Sequence, residues 1–148
     1  MIRREIALEP RPRGIHPITS EVEASLPELA EYRIGLVHLM IRHTSASLAV
    51  TEKASPDVPR DIGAWLDDVV SEDFRWTHTA EGPDDMPAHV KSVITSTELT
   101  VPVTEGRLDL GTWQGLFLCE HRNSGGSRRI TVTIWGEGTG GSDRSRDH

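Results

Sequence analysis

Two histidines and three carboxylates fall within the fourteen residues from His78 to Lys91, which read His-Thr-Ala-Glu-Gly-Pro-Asp-Asp-Met-Pro-Ala-His-Val-Lys. Imidazole and carboxylate at this density are the groups that hold divalent metals or move protons. Gly82 and Pro83 mark a loop, Asp84 or Asp85 can cap a following helix, and Pro87 suits its first turn. His89 then sits in a first helical turn, where the positive end of the dipole disfavours imidazolium and leaves the neutral, ligating form. Of Asp84 and Asp85, one is expected to cap the helix and the other to be available for chemistry. His43 and His121 end apolar runs elsewhere, and the working expectation is that His43, His78, His89 and His121 meet. Three imidazoles with an open position make a catalytic zinc site, and a carboxylate can orient an imidazole from behind. There is no His-x-x-x-His helix pair and no His-x-His strand pair. By spacing alone the plainer reading, four unrelated polar residues at element ends, is the stronger one.

Other groups extend the list of candidates. Glu81, Asp84, Asp85 and Glu52 are carboxylates that could act as general base or bind a metal, although most Asp and Glu simply face solvent. Arg122 to Arg129 reads Arg-Asn-Ser-Gly-Gly-Ser-Arg-Arg, so Arg122, Arg128 and Arg129 with the glycine N–H groups could bind phosphate. A hairpin turn with solvated arginines is the commoner use of such a segment. His38 lies in an apolar run and reads as a hydrogen-bonded core histidine. Cys119, beside Leu118, reads as a small core residue rather than a nucleophile. Ser45 and Ser47 lack a Gly-x-Ser-x-Gly elbow, and neither a P-loop nor a Rossmann fingerprint is present.

Length and composition set limits. The 148 residues fit one domain, expected over 1–138, followed by a flexible polar tail over 139–148. A formal charge of −7 argues against a general nucleic-acid binder. The single cysteine allows no internal disulfide and suits a reducing compartment. With no apolar run of membrane-spanning length, the expectation is a cytoplasmic protein without a membrane partner.

The elements that must position these groups follow from periodicity. Residues 2 to 9 suit a first strand, and 15 to 18 a short second one. Thr19 or Ser20 can cap a helix with Val22, Leu26 and Leu29 on one face, broken or kinked at Pro27. Ile34 to Ile41 suits a strand buried on both faces, and Ser47 to Glu52 alternates. Asp57 to Glu72 is the clearest helix: Asp57 can cap it, and Val58, Ile62, Trp65, Leu66, Val69 and Val70 keep the 3.6-residue period. After residue 97 the pattern is β, with a hairpin at Glu105-Gly106, a strand from Leu116 to His121 and a last one through Ile130, Val132 and Ile134. This order implies an α+β fold with two or three helices.

Three stretches taken together resemble the YjbQ family, also called the secondary thiamine-phosphate synthase family. They are His43-Thr-Ser-Ala-Ser-Leu48, Glu81 to Lys91, and Gly106-Arg-Leu-Asp-Leu-Gly-Thr-Trp-Gln-Gly115 into Glu120-His-Arg122. The likeness covers about residues 2 to 137. It implies a β-sandwich-like core, a homotrimer, and a divalent metal, often zinc, held by histidines. By position His43, His78 and His89 carry over as ligands, with His121 matching one branch of the family. Glu52, Glu81, Asp85, Thr112, Gln114, Glu120 and Arg122 match positions that line or support such a site. Thr51 departs from the family's asparagine. The implied reaction joins a pyrimidine pyrophosphate to a thiazole phosphate and releases pyrophosphate, as a main or a side activity. Asp85, Glu81 or Glu52 would then handle protons, and Arg122, Arg128, Arg129, Gln114 and Thr112 would bind the phosphorylated substrate. A metal-dependent hydrolase of a small metabolite and a non-catalytic metal- or metabolite-binding trimer are the alternatives.

Overall fold

The computed structural model describes residues 1–139, so nearly all of the tail expected over 139–148 lies outside the described residues. In chain order the elements are β1 (Ile2–Leu8), β2 (Gly14–Pro17), α1 (Thr19–Ala24), a 3-10 turn (Pro27–Glu31), β3 (Tyr32–Ile41) and β4 (Ala46–Glu52). They continue with α2 (Asp57–Val69), α3 (Asp85–Ile94), β5 (Glu98–Thr104), β6 (Arg107–Leu108), β7 (Gln114–Glu120) and β8 (Arg128–Gly138). The strands form a five-stranded sheet in the order β1-β8-β3-β5-β6 and a three-stranded sheet in the order β2-β7-β4. Every pairing is antiparallel. The inward alternate residues of both sheets share one core, with Ile6, Val37, Leu39, Val101, Val132 and Ile134 from one and Leu48, Leu116 and Leu118 from the other. This is the mixed α and β sandwich expected. No helix among the described residues is long and apolar enough to cross a membrane.

Local chemistry explains where the elements stop. Proline at 27 cannot donate to a continuing helix, so α1 ends at Ala24 and a 3-10 turn carries Leu29 into the core. Glu105 (φ 49°) and Gly106 (φ 79°) both take the left-handed conformation, which a two-residue hairpin between β5 and β6 requires.

Three expectations are corrected. First, β3 is not buried on both faces: Val37, Leu39 and Ile41 point inward, while Ile34, Leu36 and Met40 are exposed on the outer face. Nothing among the described residues covers that face. His38 lies on it too, donating from Nε2 to Glu98 Oε2 at 3.0 Å rather than sitting in the core. Second, the expected caps are not used. α1 begins after Ile18, and the Thr19 hydroxyl instead accepts the Leu116 N–H at 2.8 Å across to β7. α2 begins after Pro56 rather than being capped by Asp57. Third, α2 ends at Val69, and Trp65 and Val69 are exposed; within it only Leu66 is buried, so the buried stripe is narrower than the periodicity suggests.

The three-stranded sheet delivers the candidate site. Ala46 of β4 pairs with Glu120 of β7, so the segments just before β4 and just after β7 emerge at the same edge. Helix α3 packs on that edge, where the Ser92 hydroxyl donates to Ala46 O at 3.2 Å. At the far end of the same pair, Glu52 faces Gln114. Six residue steps at about 3.3 Å each separate the two ends by roughly 20 Å.

Candidate functional site

Asp85 is the first residue of α3, and His89 follows four residues later on the same helical face. Asp85 is almost fully buried, and its Oδ2 lies 2.8 Å from His78 Nε2 and 3.2 Å from His89 Nε2. The His78 and His89 ring centroids are 5.6 Å apart. One ligand atom from each of His78, Asp85 and His89 falls within 4.8 Å of the others. His89 Nδ1–H donates to Thr44 O at 2.8 Å, which orients the ring with Nε2 turned toward Asp85.

Arg122 braces this cluster from behind. Its Nη1 donates to Asp85 Oδ1 at 2.8 Å, its Nε to Asp84 Oδ2 at 3.1 Å and its Nη2 to Glu81 O at 2.9 Å. The Asn123 N–H adds a bond to Asp84 Oδ2 at 2.9 Å. Burial works against the Asp84 charge, but the Asn123 N–H and the Arg122 guanidinium outweigh it and hold the carboxyl below the usual range. Hydrogen bonding to Asp84 above all raises Arg122 further. Asp84 therefore occupies the cap position without capping: its carboxylate is spent on the β7–β8 turn.

The expected four-histidine meeting does not form within the chain. His43 Nε2 accepts the Arg129 N–H at 2.9 Å, so its lone pair is occupied and its Nδ1 carries the proton. Burial, then the positive charges of Arg128 and Arg129, depress its basicity. It does line a groove of about 560 Å³ together with His89, Thr44, Ser92, Thr95 and Thr97. His121 is buried beneath the sheet edge, where its Nε2 shares a 2.8 Å hydrogen bond with Ser47 Oγ.

The other expected residues divide in the same way. Arg128 is 4% exposed, donating to both Glu120 oxygens at 2.7 and 2.8 Å and to Ser45 Oγ at 2.9 Å, so it is closed to a phosphate from solvent. Arg122 is committed to Asp84 and Asp85, which leaves Arg129 as the exposed arginine of the three. Glu81 is exposed on the loop between His78 and Asp85. Glu52, Gln114 and Thr112 stand at the far end of the β4–β7 pair, remote from the cluster in the same chain. Gln114 there accepts the Gly111 N–H at 2.7 Å. Cys119 is buried, and burial pushes its thiol up to about 11, as suits a core residue.

A family model described as UPF0047 protein YjbQ-like matches residues 4–137. The chain belongs to this family. It is 42% identical to the UPF0047 protein YjbQ of Escherichia coli O157:H7, across 91% of this chain and 98% of that one. UPF0047 protein YugU of Bacillus subtilis is 38% identical across 70% and 76%. Among solved structures, a YbjQ-like protein of Sulfolobus solfataricus superposes with a TM-score of 0.80 at 25% identity, covering 92% of this chain and 97% of that one. A conserved hypothetical protein of Thermus thermophilus gives 0.75 at 32% identity, covering 91% and 100%.

In this YjbQ-like chain His121 should act as a pH sensor of stability. Burial, then the charges of Lys91 and Arg128, lower its folded-state value from 6.5 to about 4. The unfolded chain therefore binds the extra proton first, and the stability conferred by the neutral ring is present above about 6.5 and lost as pH falls toward 4. Integrated across that window the loss is on the order of 3 kcal/mol. Chemical denaturation at several pH values should show this slope in the wild type and lose most of it in His121→Gln. An unchanged slope in the variant would remove His121 as its source.

Three residues beside the candidate site carry no signal in the sequence. Thr44 acts through its backbone carbonyl, which residue type does not reveal. Phe74 and Trp76, lying beside His78, form a pocket wall that only the fold of the 70–83 loop brings together.

Proposed function

We propose that this protein is a metal-dependent enzyme acting on a small phosphorylated metabolite, a transferase of the secondary thiamine-phosphate synthase kind. It would join a pyrimidine pyrophosphate to a thiazole phosphate with release of pyrophosphate. The observation that supports this reading is the convergence of His78 Nε2, His89 Nε2 and Asp85 Oδ2. His89 Nδ1–H donates to Thr44 O, so in the neutral ring that binds metal the Nε2 lone pair would face a carboxylate oxygen 3.2 Å away. Two acceptors at that distance repel unless a proton or a cation stands between them. Tetrahedral zinc with bonds of about 2.0–2.1 Å sets neighbouring donors about 3.3 Å apart; the His89–Asp85 pair at 3.2 Å matches that spacing, and the His78–Asp85 pair, hydrogen-bonded at 2.8 Å, would open by about 0.5 Å to admit the ion.

His78, His89 and Asp85 would hold the metal, which when bound would polarise a phosphoryl oxygen as a Lewis acid. Arg122 keeps Asp85 in place, and Thr44 keeps His89 in its ligating tautomer. Arg129, exposed beside His43, would meet a phosphate entering the groove. Glu81 is left as the proton-handling carboxylate, because Asp84 and Asp85 are both bonded to Arg122.

A metal-dependent hydrolase is the second reading. It is favoured by the withdrawal of Arg122 and Arg128 into internal ion pairs, which leaves little charge for a pyrophosphate. The proposed assembly is a cytoplasmic homotrimer. The uncovered outer face of β3, with Trp135 beside it on β8, supports self-association. So does the remoteness of Glu52, Gln114 and Thr112, which a neighbouring subunit could bring to the cluster.

Metal analysis of protein purified without an affinity tag or chelator tests the reading. About one metal per chain is expected, lost in His78→Ala and His89→Ala and kept in His43→Ala and His121→Ala. His89→Ala should also abolish turnover on a panel of phosphorylated thiamine precursors while its circular dichroism stays native. Equal metal in every variant, or none in the native protein, would refute the assignment. Turnover on the hydrolase panel alone would select the second reading, and metal without any turnover would make the protein a binding module.

A further inference from the structure

Helix α3 carries Asp85 and His89 but has little apolar surface to hold it in place. Of its apolar residues only Pro87 and Ala88 are buried, while Val93 and Ile94 face solvent. Burial of an apolar stripe is the usual means of fixing a helix on a sheet, so the position of α3 depends on polar ties. Two of them reach β4: the Ser92 hydroxyl bonds Ala46 O, and the Thr95 hydroxyl lies 2.7 Å from Ser47 Oγ. The third runs to α2. Lys91, two residues past His89, is 1% exposed, and its Nζ donates to Asp67 Oδ1 at 2.5 Å. Asp67 lies in the last turn of α2, at the negative end of the helix dipole, where a carboxylate is disfavoured without a cation. Arg13 Nη1 is 3.4 Å from the same oxygen, and its Nη2 donates to Asn123 Oδ1 at 2.8 Å. The Asn123 N–H in turn holds Asp84 at the start of α3. The helix is therefore clamped at both ends, with Asp85 and His89 between the clamps.

We propose that Lys91 is a positioning residue: its bond to Asp67 sets the seat of α3, and so the approach of His89 to Asp85 and to Thr44 O. A buried ion pair adds little net stability over apolar residues of similar size, and a methionine here would cover the same surface. What the ammonium adds is direction. A short, charge-assisted bond from one helix to another fixes the rotation and height of α3, which two small buried side chains leave loose. Side chains end about 5–6 Å from the helix axis, so a rotation of about 10° carries the His89 ring roughly 1 Å. A ligand constellation tolerates displacements of only about 0.5 Å. The proposal rests on the metal-centre reading for its consequence at the metal, whereas the seat of His89 against Thr44 O is independent of it.

Lys91→Met and Asp67→Asn in the full-length protein test it, because charge and position predict opposite results. Removing a cation two residues from His89 would by Coulomb's law raise the affinity for a divalent ion, and removing the Asp67 charge would lower it. Position predicts the reverse. Zinc affinity, read by competition with a chelator, should fall about 10-fold in Lys91→Met, as for groups that hold metal ligands from outside the coordination shell. Asp67→Asn keeps an oxygen for Nζ and should retain most of the affinity, even as its melting temperature falls because a buried ammonium has lost its counter-charge. Lys91→Met should melt within about 5 °C of the wild type, since Asp67 is half-exposed and keeps Arg13. The metal-free readout is the His89 Nδ1–H resonance in ¹⁵N-histidine-labelled protein. It should be protected from solvent exchange in the wild type and lose that protection in Lys91→Met. Unchanged or raised zinc affinity in Lys91→Met, an equal loss in Asp67→Asn, or an unaltered His89 proton would overturn the proposal. So would collapse of the fold in Lys91→Met, which would make the pair structural. A wild type that binds no zinc would refute the metal centre, and the His89 proton would then decide the positioning by itself.

Discussion

Arg128→Met should lower the melting temperature by about 10–20 °C, the largest stability effect expected from a single exchange in this chain. Glu120 and Arg128 are 1% and 4% exposed and meet through two bonds of 2.7 and 2.8 Å. Removing the guanidinium leaves a carboxylate buried without a counter-charge, at a cost of roughly 3–5 kcal/mol. The pair is closely fitted as well as charged: a Cβ on Gly125 would overlap Glu120 Oε1 and Arg128 Nη2. The double exchange Glu120→Leu with Arg128→Met should recover much of the loss, because no isolated charge remains. Thermal unfolding at pH 7 followed by circular dichroism decides the matter. A single-variant shift of under about 3 °C would show that the pair contributes little. The pair also bears on the site, since Arg128 bonds Ser45, two residues past His43, and the Arg129 N–H next to it holds the His43 ring.

Asp85→Asn should lower metal affinity by at least about 100-fold and abolish metal-dependent turnover, while the fold survives. The asparagine amide keeps an oxygen for Arg122 Nη1 but removes the negative charge between His78 and His89. Competition with a chelator of known affinity, beside a melting curve, separates loss of metal from loss of fold. Asp84→Asn is the matched control: its carboxylate bonds Arg122 and the Asn123 N–H rather than the imidazoles, so metal should stay. Retention of metal by Asp85→Asn would leave Asp85 as a partner that orients two imidazoles by hydrogen bonding.

The cluster was legible where its members are local. Asp85 and His89 are four residues apart on one helix, and Pro87 and the preceding loop mark where that helix begins. His78, seven residues earlier, returns because Gly82 (φ 103°) turns the chain between them. The roles were less legible. Arg122 and Arg128 look alike in a Gly-rich turn, yet both are withdrawn into ion pairs with carboxylates distant in sequence or buried. Phosphate binding and internal bracing use the same guanidinium, and only the position of the nearest carboxylate separates them.

What the sequence determined by itself was the class of fold and the stretch that carries the candidate site. Strand alternation, the hairpin at Glu105-Gly106, the break at Pro27 and the His78–Lys91 loop and helix all rest on interactions between near neighbours. What only the tertiary structure decided was which distant groups meet. The β4–β7 register brings Thr44 and Arg122 to α3 while it sends Glu52 and Gln114 about 20 Å away. It buries His121 beside Ser47 and leaves His43 bonded to the Arg129 N–H. The physical reason is that a strand pairing fixes the relative position of residues some seventy apart, and no local propensity encodes that register.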